Sequence, residues 1–198
     1  MDAWLANVIR QIILYSLPLL VSLTLVGMLE ARLRGQAIPH PFHAVAWRGT
    51  WLPWLAGLLF TRGVIIALPQ PQQTGAIAAI SRLLGHAGLT VIGFLLYTWS
   101  LHHMGDSGLP PLHHWWAKVL MYFNLCMVTL HLLPLPGMVM GEWLATTRRG
   151  SPLAASLTPE RGLWLWVIVA ASPLLDVSLG AWLVYPAYEW LATAATRL

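Results

Sequence analysis

Eight histidines stand against seven carboxylates in a chain of 198 residues, so imidazole carries most of the chemistry this sequence offers. His131 is the sharpest candidate. It lies deep in an apolar run just before Pro134-Leu135-Pro136, and a polar side chain inside a membrane segment is a functional candidate by default. Two readings stay open for it. The ring donates to a carbonyl freed by the prolines, which cannot continue helical hydrogen bonding, or it ligates a metal or haem. His86 opens another apolar segment and is placed to approach His131, with His40 and His43 completing a candidate ligand set; alone, His86 reads as interfacial. A weaker metal cluster, His102, His103, His113 and His114, brackets a loop containing Asp106. Imidazole and carboxylate suit zinc or copper. Adjacent residues on a helix point about 100° apart, however, so each pair supplies one inward ligand, and a solvated interfacial loop competes. Asp176 interrupts the last apolar segment beside Pro173. An ion pathway needs further carboxylates in register, and the sequence supplies none, so hydrogen bonding near the Pro173 kink is expected. Glu30 and Glu142 read as interfacial. No nucleophile motif or glycine-rich phosphate loop occurs.

The elements that must position these residues are helices in lipid. Only 9% of residues are charged and 58% are hydrophobic, whereas a soluble domain carries about 25% charged residues. Backbone groups in a bilayer must be satisfied internally, and long unbroken apolar runs select helices over a barrel. Spans are expected over 11–30, 83–101, 116–137 and 162–185. The first run is too long for a secretory signal and is followed by Glu30 and Arg32, so it reads as a retained span. Cys126, the single cysteine, falls inside a span, which leaves no disulfide framework. The net charge of +4 comes from residues scattered near span ends, a topology signal with no nucleic-acid face.

Residues 50–81 are less regular, with a proline- and glutamine-rich turn over 69–73. If they form a re-entrant hairpin, Arg32, Arg34, Arg48, Arg82, Arg148, Arg149 and Arg161 share one side, leaving Arg10, Lys118 and Arg197 opposite. If they cross, that bias nearly vanishes. The positive-inside rule favours the hairpin, with both termini outside. The expected fold is therefore an all-α polytopic membrane protein of about four spans plus a re-entrant hairpin, or five to six spans if 50–81 crosses. One integral domain covers 1–198, and most of the twelve tryptophans form an interfacial belt.

Two distant segments carry a resemblance. One runs from Leu23 to Gly35, followed by His40-Pro41 and Gly49-Thr50-Trp51-Leu52-Pro53; the other is Asn124 with His131-Leu132-Leu133-Pro134-Leu135-Pro136-Gly137-Met138. Together they resemble the site-2 protease family of intramembrane zinc metalloproteases, in its minimal bacterial form without a PDZ domain. The resemblance covers about residues 15–145, with a C-terminal span over about 162–190 beyond it. It implies a core with a re-entrant element between the two motifs, and a zinc centre built from HExxH and a later aspartate. Aligning Gly35 with the family glycine places HExxH on Leu23 to Gly27 and the ligand aspartate on Val139. Leu23, Gly27 and Val139 cannot ligate zinc, and Thr24 cannot serve as the general base. The sequence thus implies an inactive family member in the bacterial inner membrane, acting as scaffold, adaptor or accessory subunit. Its partners are the lipid bilayer and another membrane protein. No cofactor is expected, zinc entering only if the family chemistry survives in altered form. The alternative is an active metal- or haem-dependent protein using the histidines above.

Overall fold

The computed structural model describes residues 2–38, 40, 50–68, 75–104, 109–147 and 159–198, and the described residues are helical with no strand. The first helix, α1 (Asp2–Leu33), is 32 residues long. Its exposed residues Ile9, Ile13, Leu17, Val21 and Leu25 recur every four positions, while Leu19, Ser22, Leu23, Val26 and Glu30 turn inward. A helical period thus separates a lipid-type face from a packed one. Gly35 ends the helix at φ +66°, with Gln36 N–H donating to the Ala31 carbonyl at 2.9 Å. This left-handed cap favours glycine, which has no Cβ to clash.

A short helix, α2 (Leu52–Leu59), follows. The chain then turns at Phe60–Gly63 and returns as an extended segment whose Val64, Ile66, Ala67 and Leu68 are buried. The Thr50 hydroxyl donates to the Leu68 carbonyl at 2.7 Å, so this excursion leaves and rejoins the bundle at one place. Helix α3 (Ala76–His102) buries Ala78, Ala79, Arg82, Gly85, His86, Leu89, Gly93, Tyr97 and Ser100, a stripe at helical spacing rich in small residues. Small residues let helix backbones approach closely in lipid, and α3 packs along α4 (Leu112–Leu130). Helix α4 is the central post: Met121, Phe123, Asn124, Cys126, Met127 and Leu130 are essentially inaccessible.

After α4 the chain breaks over His131–Met138 and resumes as α5 (Val139–Thr147). Helix α6 (Pro159–Ala171) leads to a π-helical segment, Asp176–Val184, and then α7 (Tyr185–Ala195). Two of these helices, α1 and α3, are long and apolar enough to cross a membrane, and a third crossing results if the bent pair Trp164–Ala171 and Asp176–Ala195 counts as one span.

Two expected boundaries are corrected. The segment 116–137 is not one helix, because α4 stops at Leu130; Pro134 and Pro136 lack the N–H groups that would continue it. The segment 162–185 is not straight either: it bends by 74° between Ala171 and Asp176, beside Pro173.

Contacts sort the bundle ends. Asn7, Arg10, Trp115, Lys118, Tyr188 and Glu189 line one cavity, so the starts of α1 and α4 and the first half of α7 lie together. At the other end Glu30 meets Arg82 at 3.0 Å, Arg82 donates to the Gly137 carbonyl at 2.6 Å, and Gly75 N–H donates to Glu142 at 2.7 Å.

Candidate functional site

Several polar side chains of this molecule are buried between its helices, while many large apolar ones face outward. Ile77, Ile80, Leu84, Val91, Leu95 and Trp99 of α3 are exposed, while Ser22, Arg82, His86, Asn124 and His131 are buried between helices. Such a distribution suits surroundings of hydrocarbon, where the unpaired polar group is the costly one.

Three of these buried groups form one directional chain. Helix α1 brings Ser22, whose hydroxyl donates to the Pro18 carbonyl at 2.7 Å, leaving its oxygen to accept. Helix α4 brings Asn124, whose amide nitrogen donates to Ser22 at 2.8 Å and to the Leu120 carbonyl at 2.8 Å. The Asn124 oxygen is therefore the acceptor for His86 of α3, 2.7 Å from its Nδ1. This contact fixes the tautomer: His86 carries its proton on Nδ1 and a lone pair on Nε2.

His131 sits where α4 breaks, and its ring centroid is 6.5 Å from that of His86. Val139 N–H, in the first turn of α5, donates to His131 Nδ1 at 3.3 Å. That assigns His131 the opposite tautomer, with its proton on Nε2. The Nε2 atoms of both rings are buried without a hydrogen-bond partner among the described residues. One is an acceptor and the other a donor, so the two unsatisfied atoms are complementary. The arrangement transmits hydrogen bonding across three helices.

The sequence reading of His131 is corrected in one respect. The ring does not donate to a proline-freed carbonyl; it accepts from an orphan N–H of α5, while its own carbonyl accepts from Met140 N–H at 3.2 Å. The break leaves unpaired helix-end donors as well as acceptors, and the ring is placed on the donor side.

The candidate metal sets separate. His86 and His131 come together, but ligation through His131 Nε2 needs a lone pair there, which turns Nδ1–H against Val139 N–H. His40 is exposed, and His43 lies outside the described residues. In the second cluster, His114 shares a 2.9 Å hydrogen bond with Ser100, His103 stacks on Trp99 at 4.6 Å, His113 faces the same ring at 6.1 Å, and His102 lies in the last turn of α3. Asp106 lies outside the described residues. Among the described residues no three His, Cys, Asp or Glu side chains come together as a metal site.

Asp176 has defined partners. One carboxylate oxygen accepts from Val64 N–H at 2.8 Å, Gly63 N–H at 3.1 Å and the Tyr185 hydroxyl at 3.0 Å. In an α-helix residues nine apart lie about 180° apart; the i→i+5 winding of the π segment brings Asp176 and Tyr185 to one face instead. The Tyr122 hydroxyl donates to the Gly63 carbonyl at 2.8 Å, and Arg62 Nε donates to the Ala171 carbonyl at 2.9 Å. The tip of the hairpin is thus fastened to α4 and to the bend after α6.

The positions aligned with zinc chemistry are packed differently. Leu23 is fully buried in a cluster with Phe123, Cys126, Met127, Leu130 and Met138. Thr24, Gly27 and Val139 are half-buried. Sequence reasoning missed Ser22 and the Glu30–Arg82 pair. Glu30, expected at the interface, is 6% exposed, and Arg82, counted as a topology charge, is 0% exposed. Glu142 is likewise buried. The available signal was a carboxylate and a guanidinium at the facing ends of two spans.

Comparison with known proteins returns no match to any family model, curated protein or solved structure.

Proposed function

We propose that this chain is an integral membrane protein with a site-2-protease-like framework whose catalytic centre has been replaced by hydrocarbon, and that it acts by binding another membrane protein. The burial of Leu23 among Phe123, Met127, Leu130 and Met138 carries the reading. Where the aligned family places a histidine ligand, this chain places a core leucine, and the next residues offer no base. The element order adds support: a first long helix, a hairpin that rejoins its own end, two long helices, and a proline break before Val139. With the polar ends sorted as described, α1, α3, α4 and the bent α6–α7 unit make four passes, and the hairpin closed by Thr50 and Leu68 is re-entrant. The arginine-rich end, carrying Arg32, Arg34 and Arg82, faces the cytoplasm of a bacterial inner membrane.

The partner contacts the lipid-facing side. An apolar groove of about 230 Å³ between α1, α3 and α4 is lined by Leu17, Val21, Leu96, Trp99 and Leu120. Photo-crosslinking residues at Val21 and Leu96, installed in living cells, are expected to yield one discrete protein adduct. Adducts with lipid alone overturn the binding reading. Cleavage of a transmembrane substrate by purified protein, abolished by Thr24→Ala or His131→Ala, overturns the inactive one.

A further inference from the structure

A cavity of about 590 Å³ opens where α1 and α4 begin, beside the first half of α7. Three cations line it: Arg10 of α1, Lys118 of α4 and Arg62 at the hairpin tip, against the single carboxylate of Glu189. The Lys118 ammonium lies 5.6 Å from the Trp115 ring, 5.9 Å from Tyr188 and 6.0 Å from Tyr97. Aromatic faces attract a cation without cancelling its charge. Both ion pairs among the described residues belong to Glu30 at the far end, so neither Arg10 nor Lys118 has an ion-pair partner among them. Deeper in, Ile65, Ile66 and Trp54 supply an apolar floor.

Charge placement makes this cluster unusual. The positive-inside bias leaves Arg10, Lys118 and Arg197 opposite the seven arginines, and two of those three converge with Arg62 of the hairpin tip on one cavity. Cations kept on the disfavoured side, unpaired and gathered around an amphiphilic recess, fit an anion with a hydrocarbon attachment.

We propose that this cavity binds a phosphate-bearing anion, supplied by the headgroup of an anionic phospholipid in the outer leaflet. The proposal uses the membrane orientation but is independent of the inactive-centre reading. A soluble phosphate ester offers the same group, so the test separates the two sources.

The full chain, purified in neutral detergent, is titrated with phosphatidylglycerol or phosphatidylcholine and read by native mass spectrometry, with glycerol 3-phosphate as competitor. Phosphatidylglycerol is expected to bind in preference to phosphatidylcholine. Arg10→Gln and Lys118→Gln each weaken it about fivefold, the equivalent of about 1 kcal/mol for each basic residue near a membrane surface. Glu189→Gln strengthens binding, and Arg197→Gln, outside the cavity, leaves it unchanged. Displacement by glycerol 3-phosphate identifies a free ester as a competent occupant; retention identifies the lipid. Equal binding of the two lipids, or an Arg197→Gln loss as large as that of Arg10→Gln, overturns the site.

Discussion

At the scale of residues, the chain from Ser22 through Asn124 to His86, with His131 beyond, makes a definite statement about protons. Neutral imidazole has one N–H, and each ring's fixed neighbour decides which nitrogen carries it. His86 faces the Asn124 oxygen and must donate from Nδ1, while His131 faces Val139 N–H and must accept at Nδ1. Nitrogen-15 NMR of histidine-labelled protein in bilayers is therefore expected to show two different tautomers, Nδ1–H at His86 and Nε2–H at His131. Asn124→Leu removes the constraint on His86 and is expected to abolish its Nδ1–H signature while leaving His131 unaltered. Identical tautomers in the wild type contradict the assignment. Much of this pair was legible, because a histidine beside a proline break and another early in a span are conspicuous in an apolar chain. Ser22 was not. A serine hydroxyl in a helix ordinarily bonds back to the preceding turn, and only the packing of α1 on α4 shows that its oxygen also accepts.

At the scale of elements, α3 and α4 approach each other closely, and Gly93 permits it. A Cβ at that position meets the Met121 backbone nitrogen at 2.5 Å and its Cα at 2.8 Å. The obstacle is main chain at the middle of a fully packed helix, so it has no rotamer by which to yield. Gly93→Ala is expected to force α3 and α4 apart and destabilise the protein by about 1–3 kcal/mol, the range for overpacking a close contact. Gly88 of the same helix has nothing within 4 Å of an added Cβ. Gly88→Ala is therefore expected to be neutral or slightly stabilising through helix propensity. Reversible unfolding in mixed micelles measures both, and equal effects contradict the packing argument. The helical character of these segments was readable from their apolar runs, and the hairpin from its prolines and flanking charges. The 74° bend and the π winding were not. They depend on Asp176 reaching Tyr185 and, more than a hundred residues away in sequence, Gly63 and Val64.

At the scale of the whole molecule, two independent lines support the proposed even number of passes. One is electrostatic: treating residues 50–81 as a hairpin gathers seven arginines on one side, as the positive-inside rule requires. The other is geometric. Glu189, in the first half of α7, lines the same cavity as Asn7 and Arg10 of α1, so the last helix returns to the part of the bundle where the first begins. The opposite end is closed by Glu30, Arg82 and the Gly137 carbonyl. A membrane laid across this bundle must separate the two ends. Reporter fusions at Asp2 and Leu198 are accordingly expected to give the same, outside, reading, and a fusion following Gly35 the reverse. The proposed four passes put both termini on one side, and opposite readings at Asp2 and Leu198 overturn them. Termini on one side but cytoplasmic keep the bundle and reverse its orientation. In that case Arg10 and Lys118 face the inner leaflet, where anionic lipid surface charge is strongest, and the cavity keeps its ligand chemistry while the source leaflet changes.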